Sequence, residues 1–269
     1  ILPQGGPWAA SLARFAADVK RLTKGQVIFK LYFGAVAGTD RRALARMRAN
    51  QIQGIVAATA SISSLEPTVR VMDLPLLFNS YKEFWYVLRS MQPEFAKRYD
   101  RRGYKLLALA GIGWVRLYSK FPMSSVANIR SRRLWRWKAD PIAAALFKLV
   151  GTRGVTVTPS EVLPSLQAGS LDTIYGMPHI VQSLQWHTTL KYVLDLKITM
   201  ATAGILLRKD TFAKLSPAHQ KIVLERAKAM QRQLNTNSRI VNRKSQNAMR
   251  ASGIKAQRPT GAFLRTLLI

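Results

Sequence analysis

The hydrophobic pattern of this chain switches repeatedly between a helical and a strand period. Leu12, Phe15, Ala16, Val19 and Leu22 fall on one helical face after Pro7-Trp8, and Gly25 ends that helix. Gln26 to Phe33 alternates as a strand does, Asp40 caps a helix through Ala43, Leu44 and Met47, and Gly54 to Ala58 is a short apolar strand. With Ile1-Leu2-Pro3 read as the end of a first strand, residues 1–60 run strand, helix, strand, helix, strand. The same order returns from Asn128 to Gly176. Arg133 to Trp137 alternates as a strand. Asp140-Pro141 opens a helix with Ile142, Leu146, Leu149 and Val150 on its apolar face. Val155 to Thr158 is β-branched, Pro159-Ser160 starts another helix, and Leu171 to Tyr175 is a strand. Such an order predicts parallel sheets with right-handed crossovers, and two similar α/β lobes.

Between the repeats, Lys82 to Arg89 and Pro93 to Arg101 read as two helices. Tyr104 to Ala110 and Trp114 to Ser119 read as strands that cross to the second lobe, and Ala203 to Leu207 as a strand that crosses back. Ser216-Pro217 begins a helix whose apolar positions, from Ile222 through Met230 and Leu234 to Met249, carry it to about Ser252. The expected organisation is a first lobe over residues 1–119 and a second over 120–205. Residues 206–269 hold a return strand and a long helix bracing both.

Composition narrows the chemistry. The 269 residues include no cysteine, which excludes disulfides and thiolate metal sites. No stretch of 18 apolar residues is present to span a bilayer. His179, His187 and His219 share no metal-ligand spacing, and no nucleophile elbow, phosphate loop or dinucleotide fingerprint occurs. The sequence therefore supplies no catalytic constellation, metal or cofactor site. The net charge of +29 raises one alternative, a protein that binds nucleic acid or another anionic surface. Its cations are spread over every predicted element, however, and no nucleic-acid-binding motif accompanies them. Weak duplex binding that vanishes at physiological salt is the expected outcome.

The Asn128–Gly176 stretch resembles the second domain of DctP-type substrate-binding subunits of TRAP transporters. Asn128-Ile129-Arg130-Ser131 and Arg133 stand in that family's first block there, and Glu161-Val162, Leu166-Gln167-Ala168-Gly169 and Asp172 in its last. Thr23-Lys24-Gly25, Asp73 to Phe78, and Gln185-Trp186-His187 through Lys191-Tyr192 follow the family order over nearly the whole chain. The resemblance implies a two-lobed periplasmic-binding-protein-like fold. Its function would be to capture a small molecule and pass it to TRAP membrane subunits, with no covalent chemistry. It also implies a periplasmic location. The abrupt start at Ile1 suggests that an export or lipid-anchor signal precedes it, with membrane-surface contact through such an anchor or the basic surface. Within the family, the chain is similar to the spirochaete-type systems that pair this subunit with a TPR-repeat protein.

One departure bears on the ligand. Family members usually carry an arginine at the end of the first block, where its fork holds a substrate carboxylate; aligning Arg133 with the family lysine puts Trp135 there. The expected ligand-binding residues are Trp114, Trp135, Trp137, Tyr175 and Met177, faced from the first lobe by Leu76 and Phe78. Such walls predict a largely apolar solute.

Overall fold

A computed structural model describes residues 6–34, 36, 38–138, 140–261, 263 and 265 of the chain. The expected strand end at Ile1-Leu2-Pro3 lies outside them. In chain order the elements are α1 (Pro7–Leu22), α2 (Asp40–Arg48), β1 (Gly54–Ala58), α3 (Thr59–Ile62), α4 (Tyr81–Arg101), β2 (Tyr104–Ser119) and α5 (Val126–Arg130). There follow β3 (Trp135–Arg136), α6 (Pro141–Val150), β4 (Val155–Thr156), α7 (Val162–Gln167), β5 (Thr173–Gly176), α8 (Pro178–Ser183) and β6 (Tyr192–Leu194). The last are β7 (Thr199–Arg208), α9 (Lys209–Ala213), α10 (Pro217–Ala251) and β8 (Lys255–Gln257).

Two compact units emerge. The first comprises Ile1–Asp73, Ser80–Ile112 and Ala201–Ile240; the second comprises Leu74–Asn79, Gly113–Met200 and Val241–Ile269. The strands β2 and β7 and the helix α10 each give one part to either unit. These boundaries differ from those read in the sequence. The strand β2 changes unit near its middle, after Ile112, β7 changes after its second residue, Met200, and the long helix is divided at Ile240. The short segment Leu74–Asn79 belongs with the second unit, because Leu76 N donates to Ile198 O at 2.7 Å and Lys197 Nζ to Asn79 O at 2.8 Å. Leu76 and Phe78 are therefore not residues of the first unit, as the sequence had suggested.

In the first unit the sheet order is β1-β7-β2, with β1 antiparallel to β7 from Gly54↔Leu207 to Ala58↔Ala203. Trp8, Leu12, Phe15 and Val19 of α1 are buried with Leu107, Ile205, Val223, Met230 and Leu234. Trp8 Nε1 donates to Ser238 Oγ of α10 at 3.0 Å. The predicted strand at Gln26–Phe33 is not formed. Val27, Phe29, Leu31 and Phe33 do turn to the core while Ile28 and Tyr32 stay outside, 57% and 64% exposed. The alternation is thus real, but no ladder partner among the described residues makes it a strand. The cap of α2 is Thr39 rather than Asp40, its hydroxyl accepting Arg42 N. The two helices expected around Pro93 are one: α4 runs through the proline, with Phe84, Leu88, Phe95 and Tyr99 buried on one side. Gln92, next to the proline, makes reciprocal amide hydrogen bonds of 2.9 and 2.7 Å with Gln231 on α10.

The second unit holds the repeat's distinctive stretch. Asp140 caps α6 through Ala143 N, as the sequence predicts, and of the two following glycines, Gly151 and Gly154, it is Gly151 that ends the helix in the left-handed conformation. The buried face of α6 is Ala143, Phe147 and Val150, and Leu149 points outward, 82% exposed. The strands β3 and β4 pair in parallel, and Leu134 makes a parallel bridge to Thr173. The sheet is mixed rather than parallel, because β5 and β6 both run antiparallel to β2, and β8 lies parallel to β6. The long second half of β2, absent from the sequence repeat, supplies that antiparallel partner.

Candidate ligand-binding residues of the second unit

Asp172 sets the position of β3. Its Oδ1 accepts the backbone N–H of Arg133 at 3.1 Å, and its Oδ2 lies 3.5 Å from the Arg133 guanidinium. Trp135 follows two residues later and alternation turns it inward. It is buried among Tyr118, Val162, Leu166 and Ile174. Its ring stacks on Tyr175 at 5.2 Å and meets Trp186 edge-on at 5.2 Å, and its Nε1 donates to Val157 O at 3.0 Å. Tyr175 is held from three sides, since Phe147 meets it edge-on at 5.9 Å and its hydroxyl accepts Trp137 N at 3.2 Å. Trp135, Trp137 and Tyr175 thus form one contiguous group, as their positions at neighbouring strand ends suggest.

The other expected residues lie elsewhere in the same unit. Trp114 is buried, with Lys197 Nζ 5.3 Å from its ring centroid. Lys197 and Ile198 tie this strand to Leu74–Asn79: Ile198 N donates to Val115 O at 3.0 Å, and Ile198 O takes Leu76 N. Leu76 stands at φ +59°, and Phe78 is buried. Met177 is the half-buried residue that precedes α8. All seven candidates lie in the second unit.

Sequence reasoning passed over Arg116. Its side chain is only 8% exposed, and its guanidinium meets Asp195 Oδ1 at 2.5 Å, an acid whose own side chain is 37% exposed. Alternation on β2 places Arg116 on the face of Trp114 and Tyr118. Tyr118 is buried, and its hydroxyl finds no hydrogen-bond partner among the described groups. Burial pushes that phenol up, opposed by Arg116 and Arg250. The signal for Arg116 was present in the sequence, as an arginine in the middle of the apolar run Trp114 to Tyr118. A buried guanidinium needs a partner.

No cluster among the described residues could hold a metal ion. Burial lowers the His179 pKa below 6.5. Its ring is expected to remain neutral at pH 7, with an NMR titration midpoint below that of a free histidine. A midpoint at or above 6.5 would show that the ring is solvated. The sign follows from burial. With the folded pKa depressed, His179 makes no difference well above pH 6.5 and destabilises the fold as pH falls below it.

Comparison with known proteins connects this architecture to a family. The model of bacterial extracellular solute-binding protein family 7, DctP, matches residues 1–266. The chain belongs to the DctP family. Among curated relatives it is 23% identical over 242 residues to an uncharacterised protein of Haemophilus influenzae, and 22% identical over 218 residues to a solute-binding protein of Sulfitobacter. It covers 88% of itself and 73% of the first protein, and 80% of itself and 66% of the second. The chain thus spans about two thirds to three quarters of the length of these relatives. Among solved structures, a TRAP periplasmic solute-binding protein of Desulfovibrio salexigens with bound orotic acid superposes with a TM-score of 0.90 at 19% identity, over 99% of this chain and 86% of that one. One from Xanthobacter autotrophicus with bound β-D-galacturonate gives 0.91 at 17% identity, over 99% and 90%. A Bordetella pertussis extracytoplasmic solute receptor that binds pyroglutamic acid gives 0.90 at 18%, over 99% and 88%. This DctP chain therefore has the two-lobed solute-binding-protein fold with a long C-terminal helix. It belongs among receptors rather than enzymes, in a family of periplasmic proteins. Among the described residues, no helix is long and apolar enough to cross a membrane.

Proposed function

We propose that this DctP-family chain captures a small organic acid and delivers it to TRAP membrane subunits, and that Arg116 is the cation that reads the acid's carboxylate. The observation that carries this reading is the buried guanidinium itself, paired to an acid that is more than a third open to solvent. A carboxylate that replaces Asp195 on Arg116 keeps the buried charge compensated, and binding then exchanges one ion pair for another. An arginine fork is the group suited to this, through two parallel hydrogen bonds. The ligands named for the similar receptors, orotic acid, pyroglutamic acid and the uronates, are all acids.

The apolar solute expected from Trp135 is set aside. These relatives lend it no support, and the Trp135 indole is already committed to Tyr175, Trp186 and Val157. Trp137 and Met177, both half-buried, remain as apolar flanks for the body of the solute.

Calorimetry tests the proposal with D-glucuronate, D-galacturonate, pyroglutamate and orotate, each against an uncharged analogue. One of the acids is expected to bind and its analogue to fail. Arg116→Met is expected to lose about 2–5 kcal/mol of that binding, the range for truncating one partner of a buried charge pair. Asp195→Asn, which removes the competing anion, is expected to retain or strengthen it. Far-UV circular dichroism confirms that each variant is folded. Equal binding of acid and uncharged analogue, or full binding by a folded Arg116→Met protein, overturns the assignment.

A further inference from the structure

An open surface hollow of about 720 Å³ lies on the second unit. It is lined by Arg136 of β3, by Ala144 and Lys148 of α6, and by the loop from Gly151 to Gly154 that carries Arg153. Three cations therefore approach it from a strand, a helix and a loop. Arg136 gives its Nε to Thr156 Oγ1 at 3.0 Å, and among the described residues none of the three has a carboxylate partner. With 42 Lys and Arg against 13 Asp and Glu, an unpaired cation is common in this chain; what sets these three apart is that they converge on one hollow.

The capping at the end of α6 offsets a feature that would oppose an anion there. The C-terminal end of a helix carries partial negative charge and would repel one. Here three of the last four carbonyls of α6 are taken: Phe147 O by Thr152 N at 2.8 Å, Lys148 O by Gly151 N at 3.1 Å, and Val150 O by the Arg130 Nε at 2.6 Å. Arg130 adds a fourth positive charge beside the hollow, for a Cβ on Gly151 would sit 3.1 Å from its Nε. Gly154, at φ +66°, lets the loop close tightly. A Cβ there would come within 2.9 Å of the Phe147 ring and 3.0 Å of Arg136 Cβ.

We propose that this hollow binds a phosphate-bearing anion. A carboxylate satisfies one fork and leaves the other cations uncompensated. A phosphate monoester brings about two negative charges and three acceptor oxygens, which suits donors converging from three directions. The site is separate from the proposed solute site. Arg136 and Trp135 are consecutive on β3 and face opposite ways, so the inference does not rest on the solute reading. The same chemistry is presented by a free phosphate and by a phospholipid headgroup.

The experiment compares two triple variants of equal charge change. One is Arg136→Gln/Lys148→Gln/Arg153→Gln in the hollow. The other is Lys221→Gln/Lys228→Gln/Arg232→Gln on the exposed side of α10, a control for the diffuse charge of +29. Binding of inorganic pyrophosphate is measured by calorimetry, and binding to phosphatidylglycerol vesicles against phosphatidylcholine vesicles by co-sedimentation, both at 0.15 M salt, where exposed charges are screened beyond about 8 Å. The hollow variant is expected to lose about tenfold or more in one of the two arms, as the loss of charge-assisted hydrogen bonds requires, while the control stays near wild type. Loss in the pyrophosphate arm points to a soluble phosphate; loss in the vesicle arm alone points to a headgroup. Equal weakening by both triples, or no binding by the wild-type protein in either arm, overturns the proposal.

Discussion

Trp135→Ala is expected to lower the unfolding free energy by about 3–5 kcal/mol, before any ligand is added. The side chain is 6% exposed in the core of the second unit and takes part in three specific contacts. Truncation opens a cavity against Tyr175 and Trp186, whose rings lie at 5.2 Å, and it strands the Val157 carbonyl that accepts the indole N–H. Aromatic pairs add about 0.5–1.5 kcal/mol each beyond the area they bury. A loss of this size is a large share of the roughly 5–15 kcal/mol by which a protein of this kind is stable. Urea unfolding followed by far-UV circular dichroism measures it without relying on the fluorescence of the replaced residue. Trp135→Phe, which keeps a ring but gives up the hydrogen bond, should fall between alanine and wild type. A loss under about 1 kcal/mol for Trp135→Ala would show that the indole is poorly packed and is free for a ligand after all. Ligand binding by the alanine variant has meaning only once this cost is known.

The candidate site was legible in part. The grouping of Trp135, Trp137 and Tyr175 followed from strand ends that parallel pairing brings together, a local pattern. Whether such a group is a ligand wall or a core depends on what packs over it. Trp186, more than fifty residues beyond Trp135, covers it, and no period in the sequence announces that contact. Arg116 was hidden for a similar reason. Its partner Asp195 is 79 residues away, so the run Trp114 to Tyr118 reads as apolar with a single interruption.

The fold divides along the same line. The Asp140-Pro141 and Ser216-Pro217 starts rest on local bonding and are found where expected, and of the two glycines that could stop α6 it is Gly151 that does so. Glu161 bonds the Thr158 side chain and backbone, which holds its carboxyl below the ordinary range. Pro93 was read as a helix boundary because a proline removes one backbone donor. The Gln92–Gln231 amide pair and the buried Phe84-to-Tyr99 face, both tertiary, keep α4 continuous. The Leu74–Asn79 segment was assigned to the wrong unit because its decisive bonds, to Lys197 and Ile198, lie about 120 residues away.

Asp73→Ala is expected to destabilise the first unit by about 3–5 kcal/mol, the cost of leaving one member of a buried ion pair alone. Asp73 and Arg70 are 8% and 14% exposed, and the guanidinium reaches Asp73 Oδ2 at 2.9 Å. The same oxygen accepts the hydroxyl of Thr59, the first residue of α3, so the acid joins that helix to the turn Pro67–Asp73. Thr59 Oγ1 also lies 3.0 Å from Thr202 O on β7. A hydroxyl has one proton to give, and the charge-assisted bond to Asp73 is the stronger. Removing the carboxylate frees that proton for Thr202, which recovers part of the loss at Thr59 and none of it at Arg70. Asp73→Asn keeps an acceptor and should cost less than alanine. The double variant Arg70→Met/Asp73→Leu, which exchanges the pair for apolar groups, should recover most of the loss. Urea unfolding of the three variants closes this cycle. If Asp73→Ala alone costs under about 1 kcal/mol, the pair behaves as an exposed one and its burial contributes nothing.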